Sequence, residues 1–549
     1  MPIINVPLAV PIKFRTNSTS KDSKMVNCFK ESLPNNKTLV IKRPGKASYP
    51  ITPALPDPGQ GLWTYNNNLY AVAGGELFSI TGGTSVSLLS GLNSVNSISW
   101  VNTLDTSPPH PYMVFHDQVN GYTMNSTGSI FQINQQVNLV VITNGGSGYP
   151  ATGTFTVSGT TGSGATGTYT ALAGVITSAT LTDPGSGYTG TLSVAFSGGG
   201  AGATASVALN SFPTNPVSGL VYLDGYVFVM DSEGQIWQSD NENPTAWGAL
   251  NYISATSEAD KGVAIARHLN YIVAFKQWTA DFFFDAGNPT GSVLDINQSA
   301  HMEIGCATGD SIQNPEQTLI WMATVVEGGR TIMILNGLSP LKVSTKAVEN
   351  FLNASNLVGV YSWLYKIAGH TLYGLVLTDQ NVTLVYDMDE KEWHIWTTSK
   401  DYIGGGENYF ECSFVTQFPF NSGNFYVLDA VNGLVFTLSP DNYVDPFGPI
   451  KMRIVTDRMD FDTYAFKTAG ALTIFGDNIQ DVMQVRHTED DYNNWSQYRP
   501  INLALQKPCL YQLGRFRRRA YEFLYTGKNP LRLEKVEFNL NGRLDPNQE

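Results

Sequence analysis

Charged residues, cysteines and long apolar runs are all scarce in this chain of 549 residues. Asp, Glu, Lys and Arg make up only 14% of it, well below the usual quarter of a globular protein. The four cysteines (Cys28, Cys306, Cys412 and Cys509) are far apart and form no CxxC pair, so the sequence predicts neither a disulfide framework nor a structural zinc site. No apolar run approaches the roughly 20 residues that a membrane-spanning helix requires.

The net charge of -13 argues against a protein that coats nucleic acid, since such a coat needs a basic surface. It is compatible with DNA that passes near an acidic wall, because such a wall repels DNA and lets it slide. Gly, Asn, Thr, Ser and Tyr are abundant instead. These residues suit strands and turns and are poor helix formers, so the composition predicts an all-β protein.

A short unit recurs along the chain: an aromatic-rich strand, a turn of Gly, Asp or Asn, and a second strand that ends in an aromatic residue. The clearest copy is VYLDGYVFVMDSEGQIWQSD at Val221–Asp240, and others begin at Tyr65, Tyr112, His268, Leu319, His370 and Asn424. Apolar and polar residues alternate in each unit, as in half-buried strands, and the turn residues suit tight hairpins. A period of about 40–60 residues without intervening helices predicts a β-propeller of six or seven blades.

One segment, from about Val140 to Asn210, consists almost entirely of Gly, Thr, Ser, Ala and Val. It contains an internal duplication, because NGGSGY at Asn144–Tyr149 returns as DPGSGY at Asp183–Tyr188. An alternating Thr, Val and Phe strand follows each copy. We predict two tandem copies of a small β unit inserted between blades; a low-complexity linker is the alternative.

After about Pro449 the blade pattern stops, and five or more strands predict a separate β-sandwich-like domain. The predicted organisation is an irregular N-terminal strap that lies on the first blade or on a neighbouring subunit, two parts of a propeller, an inserted Gly-rich domain and a C-terminal assembly domain. In chain order these are the strap 1–60, propeller 61–139, insert 140–212, propeller 213–449 and assembly domain 450–549.

Motifs that would carry chemistry are weak. Gly162–Gly167 matches GxGxxG, but a dinucleotide site needs a strand before it and a helix after it, and no helical period follows. The acidic turn Asp387–Glu392 lacks the glycine and the final glutamate of a calcium loop. Paired carboxylates for glycoside hydrolysis stay open, because they need not be close in sequence. We predict that the protein is not an enzyme and has no catalytic residue, cofactor or metal site.

Four arginines form the only basic cluster: Arg515, Arg517, Arg518 and Arg519. Such a run could bind nucleic acid if it were exposed among aromatic residues. In an acidic chain we favour a subunit interface, in which the arginines pair with acids of a neighbouring subunit or lay their stems along Tyr521 and Phe523.

Several islands of sequence together resemble one known family. The C-terminal island is LYQLGRFRRR at Leu510–Arg519 with Phe523 and PLRLE at Pro530–Glu534. The central island is WQSD at Trp237–Asp240 with NPTAW at Asn243–Trp247 and ISATSE at Ile253–Glu258, and it continues in IVAF at Ile272–Phe275 and in Phe282–Gly287. The N-terminal island is Val26–Cys28 with Pro44–Gly45. The chain resembles the packaged-DNA stabilisation family of short-tailed bacteriophages, whose members are tail hub or nozzle proteins. The Gly-rich duplication is a departure from the family pattern.

The resemblance implies a structural protein of the virion tail. Its expected partners are further copies in a homo-oligomeric ring, typically a hexamer, the portal and adaptor above, tail fibres or spikes, and viral double-stranded DNA that passes through the channel without sequence-specific contacts. The ring would extend the DNA channel and retain the packaged genome. Two alternatives stay open: a host-surface adhesin that binds glycan through the insert or blade loops, and a propeller-fold polysaccharide hydrolase.

Overall fold

The computed structural model describes residues 3–13, 21–34, 37–104, 112–255, 257–399, 407–418 and 423–540. Strands dominate this part of the chain, as the composition predicts. Its one α-helix, Lys346–Ala354, begins after the side chain of Thr345, which accepts a hydrogen bond from the backbone N–H of Val348. Three short 3-10 turns occur at Ile133–Gln135, Gln298–Ala300 and Gly309–Ser311. In the described ranges no helix has the length and apolarity needed to cross a membrane.

In the described residues, six four-stranded antiparallel sheets and four strands of a ten-stranded sheet form the seven blades of a propeller. Blade 1 comprises Gly59–Tyr65, Asn68–Ala73, Glu76–Thr81 and Thr84–Ser90. Blade 2 comprises Ser99–Asn102, Tyr112–His116, Gly121–Asn125 and Ile130–Gln132. Blade 3 comprises Val221–Leu223, Tyr226–Met230, Gln235–Gln238 and Tyr252–Ser254. Blade 4 comprises Gly262–His268, Tyr271–Lys276, Ala280–Asp285 and Leu294–Ile296.

The other three blades follow in sequence order. Blade 5 comprises Gly305–Cys306, Ile320–Thr324, Arg330–Asn336 and Ser339–Lys342. Blade 6 comprises Val360–Ile367, His370–Leu377, Val382–Asp387 and Glu392–Ser399, and Glu407–Tyr409 pairs with its last strand. Blade 7 comprises Phe414–Gln417, Phe425–Leu428 and Val435–Leu438, completed by Lys46–Ser48 from the N-terminal region.

A hydrophobic cluster fills the space between each pair of consecutive blades, and the last of these clusters joins blade 7 to blade 1. At this closure Leu62 and Ala71 of blade 1 pack against Leu428 and Val435 of blade 7. The hydroxyl of Thr64 also donates to the carbonyl oxygen of Gln417 at 3.0 Å. The predicted propeller is therefore confirmed, with seven blades arranged in a closed ring.

The turn residues explain why the blade unit recurs. In blade 3, Oδ1 of Asp231 accepts hydrogen bonds from the backbone N–H groups of Glu233 and Gln235, and its Oδ2 accepts one from Trp237 Nε1. Asp117 of blade 2 accepts from Val119 and Asn120 in the same way. An acidic or amide side chain that follows a blade's second strand thus satisfies the backbone of the next turn.

The N-terminal region is not an irregular strap. Its described residues contribute five strands to distant sheets: Ile3–Val6, Lys24–Val26, Cys28–Leu33, Lys37–Lys42 and Lys46–Ser48. Apart from the one hairpin among them, their partners lie hundreds of residues away, so local sequence patterns carry little sign of them. The last of these strands pairs with Val435–Leu438 and closes blade 7, which joins the beginning of the chain to the end of the propeller.

Two packed sheets form a C-terminal β-sandwich, so the β-sandwich-like domain in the predicted fold is confirmed. One sheet runs in the order Cys28–Leu33, Lys37–Lys42, Arg532–Leu540, Lys467–Gly476 and Cys509–Tyr511, with Ile3–Val6 paired to its central strand and Arg515–Phe516 paired to Lys467–Gly476. The other runs in the order Lys24–Val26, Met452–Val455, Ala520–Tyr525, Val482–Thr488 and Arg499–Asn502. Their facing sides share one core that includes Met25, Ile454, Leu472, Phe523 and Phe538.

Strand Lys24–Val26 also pairs in parallel with Glu392–Ser399, so the second sheet of the sandwich is continuous with blade 6. The sandwich is therefore joined to the propeller by hydrogen-bonded strands at blade 6 and by the N-terminal strand of blade 7.

The Gly-rich insert between blades 2 and 3 is a folded β unit. Its ends form a ribbon of Val137–Ser147 and Ala201–Leu209. The remainder contains a four-stranded sheet, in the order Val175–Asp183, Thr166–Leu172, Thr152–Ser158 and Ser193–Phe196. A two-stranded sheet pairs Thr161–Ser163 with Ser186–Thr189. The GxGxxG segment thus lies among strands and opens no helix.

The two copies of GSGY adopt equivalent turns. The backbone N–H of Gly146 donates to Asn144 Oδ1 at 3.0 Å, and that of Gly185 donates to Asp183 Oδ1 at 2.8 Å. Each copy then buries its tyrosine: Tyr149 packs against Tyr169 and Ile176, and Tyr188 packs against Phe155 and Val157. The duplication in sequence is a duplication in structure.

Removal of the insert should leave the rest of the molecule folded. The backbone N–H of Asn210 donates to the carbonyl of Gln136 at 3.1 Å, so the two ends of the insert lie side by side. We expect a chain in which a short Gly-Ser turn replaces residues 137–209 to lose about 1 kcal/mol or less of stability outside the insert, since closing a short loop costs little. Calorimetric melting of both chains tests this, and loss of the propeller transition would contradict it.

Candidate assembly surface

The arginine cluster lies where the chain passes from one sheet of the sandwich to the other. Phe516 belongs to a two-residue strand that pairs with Lys467–Gly476, and its ring is buried in the sandwich core. Because side chains alternate along an extended chain, the flanking Arg515 and Arg517 point outward from Phe516.

Arg515 and Arg517 share an aromatic platform with Tyr464 and Phe466; we call these four residues the arginine patch. The guanidinium carbons of Arg515 and Arg517 lie 4.9 and 4.4 Å from the centre of the Phe466 ring. Arg517 is also 5.3 Å from the ring of Tyr464. Tyr464 is 68% exposed and Phe466 37% exposed. Stacking on the rings holds the two cations at the surface beside uncovered apolar area.

Arg519 lies in different surroundings. It is 2% exposed and is enclosed by its own chain, where it donates to the carbonyl of Leu513 at 2.6 Å and pairs with Glu489. Its guanidinium carbon lies 4.3 Å from the centre of the Phe516 ring. The sequence-based expectation that all four arginines face a neighbour therefore does not extend to Arg519, which stabilises the sandwich from within.

Arg518 faces a third environment, an open cavity of about 660 Å³ at the start of the α-helix. Lys13, Lys346, Arg458 and Asp457 also line this cavity. Lys13 pairs with Asp457 at 2.6 Å, and Arg458 pairs with Asp491 at 3.0 Å. The four clustered arginines thus lie in three different environments, and only Arg515 and Arg517 share one exposed surface.

The acidic turn at Asp387–Glu392 is occupied by contacts within the chain. Asp387 Oδ1 accepts from the backbone N–H groups of Asp389 and Glu390, and its Oδ2 pairs with His370 Nδ1 at 2.6 Å. Glu390 accepts from Ser32, and Glu392 pairs with Lys30. These carboxylates attach the N-terminal strand to blade 6. Across the described ranges, no three His, Cys, Asp or Glu side chains are grouped so as to hold a metal ion.

His394, on the next strand of blade 6, is fully buried, and neither ring nitrogen has a hydrogen-bond partner among the described residues. Burial lowers the pKa of His394 to about 4. Four charged or titratable groups act on its ring: Asp387 and Glu390 favour the protonated form, and His370 and Lys30 oppose it. The imidazole is therefore neutral inside the folded protein at pH 7.

This histidine should make the protein sensitive to mild acid. An unfolded chain binds a proton at His394 near pH 6.5, whereas the folded protein does so only near pH 4. The free energy of unfolding therefore falls as the pH falls between these values, by roughly 2 kcal/mol at pH 5. We expect His394→Leu to be as stable as the parent at pH 7 and to lose about 2 kcal/mol less between pH 7 and pH 5, measured by urea unfolding.

The matched control is the neighbouring His370, whose pKa is raised by its hydrogen bond to Asp387. His370 adds to the free energy of unfolding at pH values below its ordinary pKa, and this addition is lost as the pH rises through the raised pKa. Its effect on the pH dependence of stability is therefore opposite in sign to that of His394. His370→Leu should therefore make the protein more sensitive to acid. Equal pH dependence of His394→Leu and the parent protein would rule out the role assigned to His394.

A buried polar network joins the propeller to the sandwich. Arg43 and Asp445 are nearly inaccessible to solvent, and the guanidinium Nη2 of Arg43 lies 2.5 Å from Asp445 Oδ2. Arg43 also donates to Asn27 Oδ1 at 2.8 Å and to the carbonyl of Thr397 at 2.7 Å. Asn27 in turn accepts from the backbone N–H of Thr397. We call these four residues the joint.

Sequence reasoning identified Val26–Cys28 and Pro44–Gly45 as parts of the family resemblance but assigned no role to Asn27 or Arg43. The two segments are 16 residues apart, and their partners lie more than 350 residues further on. Asn27 stands between the apolar Val26 and Cys28, whereas Arg43 follows Lys42 and gives no local sign of burial.

Taken together, the described chain is a seven-bladed β-propeller with an inserted β unit and a β-sandwich, and it presents an exposed arginine patch. The family model described as "Bacteriophage P22 Gp10, beta-propeller" matches residues 187–443. Over this range the chain is similar to that family, and the resemblance to phage structural proteins predicted from the sequence is confirmed.

No curated protein matches the sequence significantly. Among solved structures, BamB from Moraxella catarrhalis is 9% identical with a TM-score of 0.32, covering 80% of this chain and 98% of its own. YCF48 from Cyanidioschyzon merolae is 10% identical with a TM-score of 0.33, covering 72% of this chain and 100% of its own. The N-terminal domain of Nup159 is 8% identical with a TM-score of 0.35, covering 76% of this chain and 99% of its own. None of these values is high enough to transfer a property to this chain.

Proposed function

We propose that the protein is a ring-forming subunit of the tail of a short-tailed phage, a hub or nozzle that extends the DNA channel below the portal and adaptor. In this role it retains the packaged genome and anchors fibres or spikes. The observation that carries the proposal is the family match over residues 187–443, which spans blades 3 to 6 and most of blade 7.

The joint supports a role in which two domains keep a fixed relation. A subunit of a channel must hold its shape while DNA is packed above it. Strand pairing across blade 6 and a buried arginine with four acceptor groups make the sandwich and the propeller one hydrogen-bonded body. An interface held only by surface side chains would allow the domains to move.

The charge of the chain suits a channel that DNA traverses. With a net charge of -13, the protein as a whole repels the phosphate backbone, and a repulsive wall does not retain DNA by non-specific binding. Retention of the genome in this proposal is mechanical, through closure of the ring, and does not depend on base or phosphate contacts.

The proposal is tested by the mass and shape of the purified full-length chain. We expect light scattering to give a mass several times that of one chain, and negative-stain images to show rings. The particles produced by the encoding genome should contain the protein as a tail component, detected with antibody-labelled gold. A chain that stays monomeric at all concentrations and is absent from particles would overturn the proposal.

A further inference from the structure

Charge is strongly segregated between the two parts of the molecule. The segments that build the sandwich and supply the closing strand of blade 7, 1–48 and 450–549, contain 24 Lys and Arg against 15 Asp and Glu, a net charge of +9. The propeller and insert, 49–449, contain 9 Lys and Arg against 31 Asp and Glu, a net charge of -22. An acidic protein thus carries a basic domain at one side.

Many basic groups of the sandwich are neutralised within the chain. Arg43, Arg453, Arg486, Arg519 and Arg532 all pair with carboxylates. The two guanidinium groups of the arginine patch are stacked on aromatic rings instead. Arginine beside partly exposed Tyr and Phe is the composition enriched in the centres of protein–protein interfaces.

The acidic residues of the propeller concentrate in blades 3 and 4. Residues 213–310 contain twelve Asp and Glu against three Lys and Arg. Exposed residues of their outer strands and adjoining loops define a surface that we call the acidic flank: Glu242, Leu250, Tyr252, Phe284 and Asp295. It combines carboxylates with exposed apolar side chains, as the arginine patch combines cations with aromatic rings.

The two blades that form the acidic flank are held together at their outer edges. The side-chain oxygen of Gln238 in blade 3 accepts from the hydroxyl of Ser292 at 2.9 Å and from the backbone N–H of Val293 at 3.0 Å in blade 4. Val293 and Leu294 also pack into the cluster between the blades. These contacts fix the position of blade 4 relative to blade 3 at the edge where the acidic flank lies.

The arginine patch and the acidic flank belong to separate parts of the molecule, the patch to the sandwich and the flank to blades 3 and 4. The sandwich is attached at blades 6 and 7. In a closed ring of seven, blade 3 is three positions from blade 6 in one direction and three from blade 7 in the other. Two different surfaces on different sides of one subunit are what a head-to-tail contact needs, and a head-to-tail contact that closes generates a ring.

We propose that the arginine patch of one subunit docks on the acidic flank of a second copy of this chain. This inference rests on the proposed ring and specifies which surfaces build it. Charge complementarity selects the partner: Arg515 and Arg517 face Glu242 and Asp295, while Tyr464 and Phe466 cover Leu250, Tyr252 and Phe284. Duplex DNA is the competing occupant of a basic surface, but its phosphates leave exposed aromatic rings uncovered.

The first experiment reverses the patch. We expect Arg515→Glu/Arg517→Glu to weaken self-association about 100-fold or more in sedimentation velocity, because the reversal places like charges across the contact. The matched control is Lys37→Glu/Lys507→Glu, which makes the same change in net charge at two other exposed lysines of the sandwich and should associate like the parent protein. Unchanged melting of both variants shows that they are folded; Arg515→Gln/Arg517→Gln replaces the first variant if it melts early.

The second experiment reverses the partner surface. Glu242→Lys/Asp295→Lys alone should also dissociate the assembly, whereas the two pairs combined in one chain should restore it, because the contact is then formed with the signs exchanged. Two results together would overturn the inference: the reversed patch loses binding to a fluorescent DNA duplex, and the combined variant does not restore assembly. They would show that the patch binds DNA. Normal assembly of the reversed patch would overturn it while leaving the ring intact. A parent chain that never associates would overturn the proposed function itself.

Discussion

Replacement of Arg43 by methionine should lower the free energy of unfolding by about 3–5 kcal/mol. The substitution leaves the Asp445 carboxylate buried without its cation and removes the donors to Asn27 Oδ1 and the Thr397 carbonyl. A buried charge that has lost its partner is among the most costly changes in a protein interior. The measurement is urea unfolding followed by tryptophan fluorescence and circular dichroism.

The control for this prediction is Arg532→Met in the same sandwich. Arg532 also forms an ion pair, with Asp477, but its side chain is 59% exposed, and exposed pairs contribute about 1 kcal/mol or less. If both substitutions cost the same, the joint has no special role. The double variant Arg43→Met/Asp445→Leu should recover part of the loss, since it removes both buried charges.

Removal of residues 1–48 should abolish the cooperative fold of the propeller and the sandwich together. The deletion takes away the closing strand of blade 7 and strands from both sheets of the sandwich. It also uncovers the core contacts of Met25, Cys28 and Val40. We expect aggregation or a broad, non-cooperative calorimetric transition, and rapid cleavage of the truncated chain in limited proteolysis.

Deletion of residues 137–209 is the internal control, because it removes more of the chain and yet is expected to leave the calorimetric transition in place. Comparison of the two deletions shows whether the loss of folding depends on which strands are removed or only on how many residues are removed. A truncated chain without residues 1–48 that melts at the temperature of the parent would show that strand closure at blade 7 and in the sandwich is dispensable.

The propeller could be predicted because its information is local. Each blade joins neighbouring strands by short turns, so the alternation of apolar residues and turn residues such as Asp231 is visible within about 20 residues. The insert was predictable for the same reason, since its duplicated GSGY turns form equivalent local hydrogen bonds. The sandwich was predicted only in part, because four of its strands come from the first 48 residues and pair across hundreds of positions.

The candidate surface shows the same limit. The cluster of arginines is obvious in the sequence, but the chain bends at Arg517 and Arg518 as it passes from one sheet to the other. Arg515 and Arg517 therefore lie beside Phe466, whereas Arg519 is buried against Phe516. The aromatic platform itself comes from another segment. The joint at Arg43 depends on residues from three distant parts of the chain, and no local pattern reports such a network.

The most direct test of the proposed role is a cryo-EM map of the tail of the phage particle. We predict a closed ring of subunits below the portal, each with a seven-bladed propeller joined to a sandwich, in which the sandwich of one subunit contacts blades 3 and 4 of the next. A tail that lacks this propeller, or a particle in which the protein occurs only as isolated copies away from the DNA channel, would contradict the account.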